Sequence, residues 1–275
     1  AGLGGLAHLV IYQGTDTMEA LVAARRYYGA DMAGFSIPAA EHSTMTSWGR
    51  DREEDAYRNM LDRFEGEGRI VAVVSDSYDL DAAVADIWGG SLRDKVLGRQ
   101  GTLVVRPDSG DPIETPLRTV KTLWEKFGGT VNSKGYRVLD PHVRVIQGDG
   151  MTVDSIGTLV ARMIEEGFAI DNIAFGMGGG MLQHVNRDTL RFAMKANAML
   201  GSDGVWHDVF KMPSTDPGKA SKAGRQAVVM KDGRMAAARL DTVGAGEDLL
   251  VPVWRNGELL VRHDFDTVRA RSEGK

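Results

Sequence analysis

Short apolar runs rich in β-branched residues recur along the first two thirds of the chain, each closing on a polar or glycine cluster and each followed by an amphipathic stretch. "HLVIYQGTD" (8–16) predicts a strand ending at Asp16, with a helix over 17–28 closed by Gly29. "GFSIPAAEH" (34–42) is a weaker second copy, followed by an acidic helical segment near 51–65. "RIVAVVSDSYD" ends at Asp76 and Asp79, with a helix near 80–88, and "GTLVVRPDSGDP" ends at Arg106 and Asp108, with a helix near 116–127. "HVRVIQGDG" ends at Asp149 before a helix near 152–166, and "NIAFGMGGG" ends in glycines before a helix near 180–196. The runs are continuous, not alternating, as strands buried on both faces of a parallel sheet are. Repeated βα units of this kind predict an α/β fold: a parallel (β/α) barrel-like domain or a doubly wound sheet, with the ligand at the C-terminal strand ends in either case.

The pattern changes after about residue 200. "AVVMKDGRMAAARL" and "LLVPVWRNGELLVRHDF" fold back around Asp232-Gly233 and Asn256-Gly257, dipeptides that favour hairpin turns. Between these runs and the α/β part lies "KMPSTDPGKASKAGR", a basic loop with Lys211, Lys219, Lys222 and Arg225. The expected organisation is a barrel-like catalytic domain over 1–204 and a smaller β-rich C-terminal lobe over 205–275.

Composition narrows the picture. The 275 residues include 43% hydrophobic and 26% charged residues, ordinary for a globular protein with a real core. Glycine is in excess, 34 residues, against a usual ~7%, which signals tight turns or close backbone approach to a ligand. The net charge of −5 gives no pull toward nucleic acid. Without cysteine there is no disulfide and no thiolate metal site. No apolar run reaches the ~20 residues of a membrane span, and a cytoplasmic location is expected. The opening "AGLGGLAHLVIY" lacks both a basic signal-peptide region and an initiator Met, and the expectation is a chain that begins partway through its domain.

Candidate chemistry sits at the predicted strand ends. "AFGMGGGML" carries four glycines in five positions; Gly178, Gly179 and Gly180 would offer unobstructed backbone N–H groups to a phosphate, with Arg187 as countercharge. The same residues would also make a plain tight βα turn. Arg106 and Asp108 form either a self-satisfied ion pair or a clamp on sugar hydroxyls or on Mg²⁺ in front of a phosphate. Asp16, Asp76, Asp108 and Asp149 would share one rim, and several hydroxyl-accepting carboxylates beside a glycine loop suggest a phosphorylated sugar. His42, at a strand end opposite Asp76, suits a general base or a nucleophile toward phosphorus, because a carboxylate on one imidazole nitrogen raises the basicity of the other. The hydroxyls of Ser43, Thr44, Thr46 and Ser47 either line a phosphate route or cap the next segment.

"GTDT" (14–17), "SIPAAEHSTMTSWG" (36–49), "VVSDSYD" (73–79), "RPDSG" (106–110), "RVIQGDG" (144–150), "NIAFGMGGG" (172–180) and "RDTLRFAMKAN" (187–197) together resemble the nicotinamide phosphoribosyltransferase family. The resemblance is colinear and runs from the start of the chain into its C-terminal region; an N-terminal portion of the family pattern has no counterpart here. It implies transfer of phosphoribosyl from phosphoribosyl pyrophosphate to nicotinamide in NAD salvage, giving nicotinamide mononucleotide and pyrophosphate. It implies Mg²⁺ as cofactor, ATP as co-substrate coupled through phosphorylation of His42, and a homodimer. Asp76 then steadies His42, Asp16 accepts from the carboxamide of nicotinamide, and Arg106 binds at the base and phosphate region. Asp108, Gly148 and Asp149 contact ribose, and Gly178, Gly179 and Arg187 form the 5′-phosphate site. Lys195 and Lys211 match the pyrophosphate and ATP region. The resemblance assigns no metal ligands. Ala72 stands where vertebrate members are expected to carry Ser. The rivals are a nicotinate-specific enzyme, against which Asp16 argues, and a non-catalytic phosphosugar-binding module, which has no need of His42 and Asp76.

Overall fold

A computed structural model describes residues 1–184, 186–189 and 193–274. The chain divides into two compact units, Ala1–Val185 with Val268–Lys275, and Asn186–Thr267.

The first unit opens with two helices, α1 (Gly2–Ile11) and α2 (Met18–Tyr28). Residues 8–11 of the strand predicted to end at Asp16 are thus the last part of a helix. The reason lies in its glycines: a Cβ on Gly4 would meet the Met181 carbonyl oxygen at 2.5 Å, and one on Gly5 would meet the Ala20 Cβ at 2.7 Å. Glycines here permit close helix packing, which overrides their poor helix propensity. Helix α2 stops where expected, at Gly29 with φ 67°. The weak strand over 34–42 survives only as two isolated parallel bridges, Gly14 to Phe35 and Ala39 to Ala72. Pro38 has no N–H to give, but its carbonyl accepts from the Ala72 N–H at 2.9 Å.

The short α3 (His42–Thr46) and α4 (Glu53–Arg63) lead into β1 (Ile70–Val74). Asp79 caps α5 (Leu80–Ala82), which continues as a π-wound turn over Ala83–Ser91 and is followed by α6 (Arg93–Leu97). A Cβ on Gly89 in that turn would lie 2.5 Å from Lys126 Cγ, so only glycine fits there without displacing the lysine. Then come β2 (Thr102–Arg106), α7 (Glu114–Phe127), a hairpin of β3 (Gly129–Val131) and β4 (Arg137–Leu139) that the pattern did not predict, and β5 (Val143–Gln147). Helix α8 (Val153–Glu165), β6 (Ile173–Phe175) and the four-residue α9 (Gly179–Leu182) follow.

Strands β1, β2, β5 and β6 form a parallel sheet in that order. Val73, Val105, Val145 and Ile173 lie in register across it and are all buried. The parallel bridges at Ala39 and Gly14 extend the same chain-order succession beyond β1. The chain is therefore mixed α/β around a parallel four-strand sheet. In the core of this unit, Trp88 stacks on Tyr57 with ring centroids 4.4 Å apart and donates from Nε1 to Ser75 Oγ at 3.0 Å. Burial foremost, and then the Glu53 carboxylate that accepts the Tyr57 hydroxyl, raise the phenol pKa far above its ordinary value. Trp88→Ala is expected to lower stability by about 3–5 kcal/mol, read as an earlier urea midpoint with an unchanged slope.

The second unit contains the hairpins β7 (Ala198–Leu200) with β8 (Trp206–Asp208) and β9 (Gln226–Lys231) with β10 (Arg234–Arg239), and the short pair β11 (Trp254–Arg255) with β12 (Glu258–Leu259). Asp232-Gly233 and Asn256-Gly257 make the expected turns, all four residues with positive φ. The Arg239 guanidinium bridges Asp208 and Asp241. Helix α10 (Phe265–Ser272) closes the described chain. In its part within the first unit, Arg269 donates to the carbonyls of Leu9 and Ala33. No helix among the described residues is long and apolar enough to cross a membrane.

Candidate active site

Glu41 is the N-cap of α3: its carboxylate accepts from the Ser43 N–H at 2.9 Å, and Thr44 completes a reciprocal capping box. The hydrogen bonds from Ser43, hydroxyl first and amide second, hold the Glu41 carboxyl below its usual range. Thr46 donates to the His42 carbonyl and Ser47 to the Thr44 carbonyl. The row of hydroxyls therefore caps and closes this one short helix. The result is a fixed first turn with His42 as its first residue.

His42 lies between two carboxylates. Its Nε2 is 2.9 Å from Asp76 Oδ1, and its Nδ1 is 3.9 Å from Asp108 Oδ2. Asp76, just past the end of β1, has only 5% of its side chain exposed. Its second oxygen accepts from the Asp108 N–H at 3.2 Å and from the Ser109 hydroxyl. Burial works to raise the Asp76 carboxyl, but the hydrogen bonds from Ser109 and His42, the His42 charge and the Asp108 amide outweigh it, and the carboxyl sits below its ordinary value. An ionised Asp76 can only accept, so Nε2 carries a proton in either charge state of the ring, and whenever the ring is neutral its lone pair is on Nδ1.

Arg106, at the end of β2, reaches Asp108 Oδ2 at 3.5 Å, and its buried Nε has no protein partner. Asp108 also neighbours the β5 end: a Cβ on Gly148 would lie 3.6 Å from Asp108 Oδ1. The Gly148–Gly150 loop in turn touches the β6 end, where a Cβ on Gly176 would meet Gly148 Cα at 3.4 Å. His42, Asp76, Arg106, Asp108, Gly148 and Asp149 thus belong to adjacent strand ends. Asp16 lies on the bridged segment beyond β1, where its carboxylate accepts from the Ser36 hydroxyl. Gly178 caps α9 and nothing would lie within 4 Å of a Cβ there, so its backbone faces open space beside Gly179.

The helix expected over 180–196 is not seen: among the described residues it is limited to Gly179–Leu182, and residues 185 and 190–192 lie outside the described set. Arg187 consequently stands in a bend in the second unit, exposed and 3.4 Å from Asp188, rather than two turns along a helix. Lys195 and Lys211 also belong to the second unit, both exposed. Ala72 is buried within β1. Three residues of the site escaped the sequence: Ser36, Ser109 and Gln147. The last has a visible signal, a polar residue on the same alternating positions as the apolar Val143 and Val145 of "VRVIQ".

Parallel strands that end in a carboxylate–imidazole–carboxylate row beside glycine loops make this an α/β protein with its candidate site at the strand ends. The chain belongs to the nicotinate phosphoribosyltransferase (NAPRTase) family, whose sequence model matches residues 1–246. Its curated relatives include a nicotinamide phosphoribosyltransferase of Xanthomonas campestris, 51% identical over 99% of this chain and 59% of the relative. Proteins of the same name in Acinetobacter baylyi (33% identical, 98% of this chain, 57% of the relative) and Mycoplasma pneumoniae (37%, 80% and 48%) are also similar. The chain spans between 48% and 59% of the length of these three relatives.

Proposed function

We propose that this chain serves the transfer of phosphoribosyl from phosphoribosyl pyrophosphate to the ring nitrogen of nicotinamide, coupled to ATP hydrolysis through phosphorylation of His42. The observation that carries the proposal is the imidazole held through Nε2 at 2.9 Å from Asp76 Oδ1, which leaves Nδ1 as the ring nitrogen available for attack. The names of the relatives support the choice of nicotinamide as acceptor.

In this reading, Nδ1 attacks the terminal phosphorus of ATP; the N–P bond forms as the bond to the ADP oxygen breaks, and Asp76 balances the imidazolium charge that develops. Arg106, with its uncommitted Nε, binds anionic oxygens of the substrate. Asp108, Gly148 and Asp149 receive the ribose hydroxyls, and Gly178 and Gly179 hold the 5′-phosphate. Departure of pyrophosphate leaves an oxocarbenium-like ribose, which carboxylates near it stabilise. Lys195 and Lys211 serve the pyrophosphate and ATP region, and Asp16 receives the carboxamide of nicotinamide.

The residues present fit a Mg²⁺ that arrives on the substrate. No group of three or more His, Asp or Glu stands ready to cage a metal among the described residues, and Mg²⁺ commonly binds through one or two carboxylates plus substrate phosphates. Both Asp76 oxygens are engaged by protein donors, which leaves Asp108 and Asp149 as the candidate carboxylates. Mg²⁺ would supply charge neutralisation at the leaving pyrophosphate. The proposal extends to a catalytic domain over 1–204 whose parallel strands close as a barrel, a β-rich lobe over 205–275, a homodimer, and a cytoplasmic location.

The test is labelling of the full-length protein with Mg²⁺ and ATP carrying a radioactive terminal phosphate. Wild type is expected to gain acid-labile phosphate and His42→Ala to gain none; equal labelling of the two removes His42 from the role.

A further inference from the structure

Gln147 is the last residue of β5 and shares its buried face with Val143 and Val145. A primary amide in that row needs four hydrogen-bonding positions satisfied, where its neighbours need none. Its Nε2 donates to the Asp149 carbonyl at 3.0 Å. A carbonyl can only accept, so this contact fixes which way the amide points, and it leaves Oε1 buried with no donor. The residue is 1% exposed, and burying an acceptor without a partner is unfavourable. A leucine of similar size would avoid that cost, so the reason for an amide here lies in its bond to Asp149.

The segment it holds is the turn between β5 and α8. The Gln147 carbonyl accepts from the Gly176 N–H at 2.8 Å, and Ser155 Oγ donates to the Gly150 carbonyl at 3.3 Å. These contacts hold the two ends of the turn, while the amide of Gln147 is the contact at its middle. Asp149 is itself exposed, and without that contact its carbonyl can turn to water. Gly148 borders Asp108, so the amide sets how the β5 loop meets the β2 loop.

We propose that Gln147 is a positioning residue: its buried amide orders the 148–150 loop so that Gly148 stands beside Asp108 and Asp149 is held in place for the ribose of the phosphoribosyl donor. The proposal rests on the phosphoribosyl transfer inferred above. It carries a signature that a purely structural residue lacks, because stability and substrate use move in opposite directions. Gln147→Leu removes both the orphaned acceptor and the hold on the loop.

In the full-length protein, Gln147→Leu and Gln147→Met are expected to keep or raise the melting temperature while amide hydrogen exchange in the peptide spanning 147–152 becomes faster. The KM for phosphoribosyl pyrophosphate is expected to rise about tenfold, since small misplacement of a positioning group has effects of that order or more. The KM for nicotinamide and the labelling of His42 stay within about twofold, a change too small to count as lost positioning. Unchanged exchange in that peptide overturns the proposal, and so does a melting temperature that falls together with activity in both variants. A wild-type protein that releases no pyrophosphate in the presence of nicotinamide would instead sink the underlying reaction, and the exchange measurement still decides whether Gln147 orders the loop.

Discussion

Asp76→Asn is expected to slow phosphorylation of His42 by on the order of 10³-fold, since misorienting the tautomer of a catalytic imidazole has effects of that size or larger. The carboxylate accepts from three donors at once, His42 Nε2, the Asp108 N–H and the Ser109 hydroxyl. An asparagine can present one carbonyl oxygen and must turn its NH₂ toward the others. If the NH₂ faces His42, it donates to Nε2, the ring proton moves to Nδ1, and the lone pair points away from the substrate. If it faces the loop, it meets an N–H and a hydroxyl. Both arrangements cost some stability, and the larger deficit should fall in the labelling step, visible in a single-turnover experiment on the folded variant. The pH dependence has a defined sign. The Asp76 carboxyl lies below its ordinary value of 3.8 in the folded protein. Its contribution to stability is fully present above that ordinary value and is lost as pH falls through the depressed one. The stability gap between wild type and Asp76→Asn should narrow as the solution becomes acidic enough to protonate Asp76. A gap that widens in acid would overturn this reading.

Asp16→Asn is expected to erase most of the preference for nicotinamide over nicotinate. A carboxylate facing the carboxamide accepts from its NH₂ but repels the carboxylate of nicotinate, and such like-charge contact is worth about 3 kcal/mol or more, roughly a hundredfold in selectivity. Asp16 receives the Ser36 hydroxyl, so its orientation is set by the neighbouring segment, which runs alongside through the Thr15 N–H to Phe35 carbonyl bond of 2.8 Å. An asparagine keeps the shape and drops the charge. Competition between the two bases in the full-length enzyme measures the ratio directly. A wild type that prefers nicotinate would overturn the assignment of nicotinamide as acceptor.

The sequence revealed the parts whose structure is set locally or by simple burial. The runs at 70–74, 102–106, 143–147 and 173–175 form the parallel sheet because each is short, apolar and bounded by polar residues. The turns at Asp232-Gly233 and Asn256-Gly257 follow from the ease with which Asn, Asp and Gly take positive φ. What escaped depended on partners distant in the chain. Gly4 and Gly5 look like helix breakers until Met181 and Ala20 are seen against them. The β3–β4 hairpin has three-residue strands, too short for any alternation to register. The site divides in the same way. His42 and Asp76 were paired from their places at neighbouring strand ends, whereas Ser109 acts through the second oxygen of one carboxylate and Gln147 through a backbone carbonyl, contacts that residue type alone does not specify.

Arg269 ties the carbonyls of Leu9 and Ala33 to a helix 260 and 236 positions later, and residues 268–275 belong to the same compact unit as residues 1–185. During synthesis, where chains emerge at about 5–20 residues per second, the N-terminal helices must wait for the whole of 186–267 to be made before their last tie arrives. For at least several seconds the first unit exists with those carbonyls unclaimed, and a ribosome stalled anywhere within the second unit would hold the nascent protein in that unfinished state.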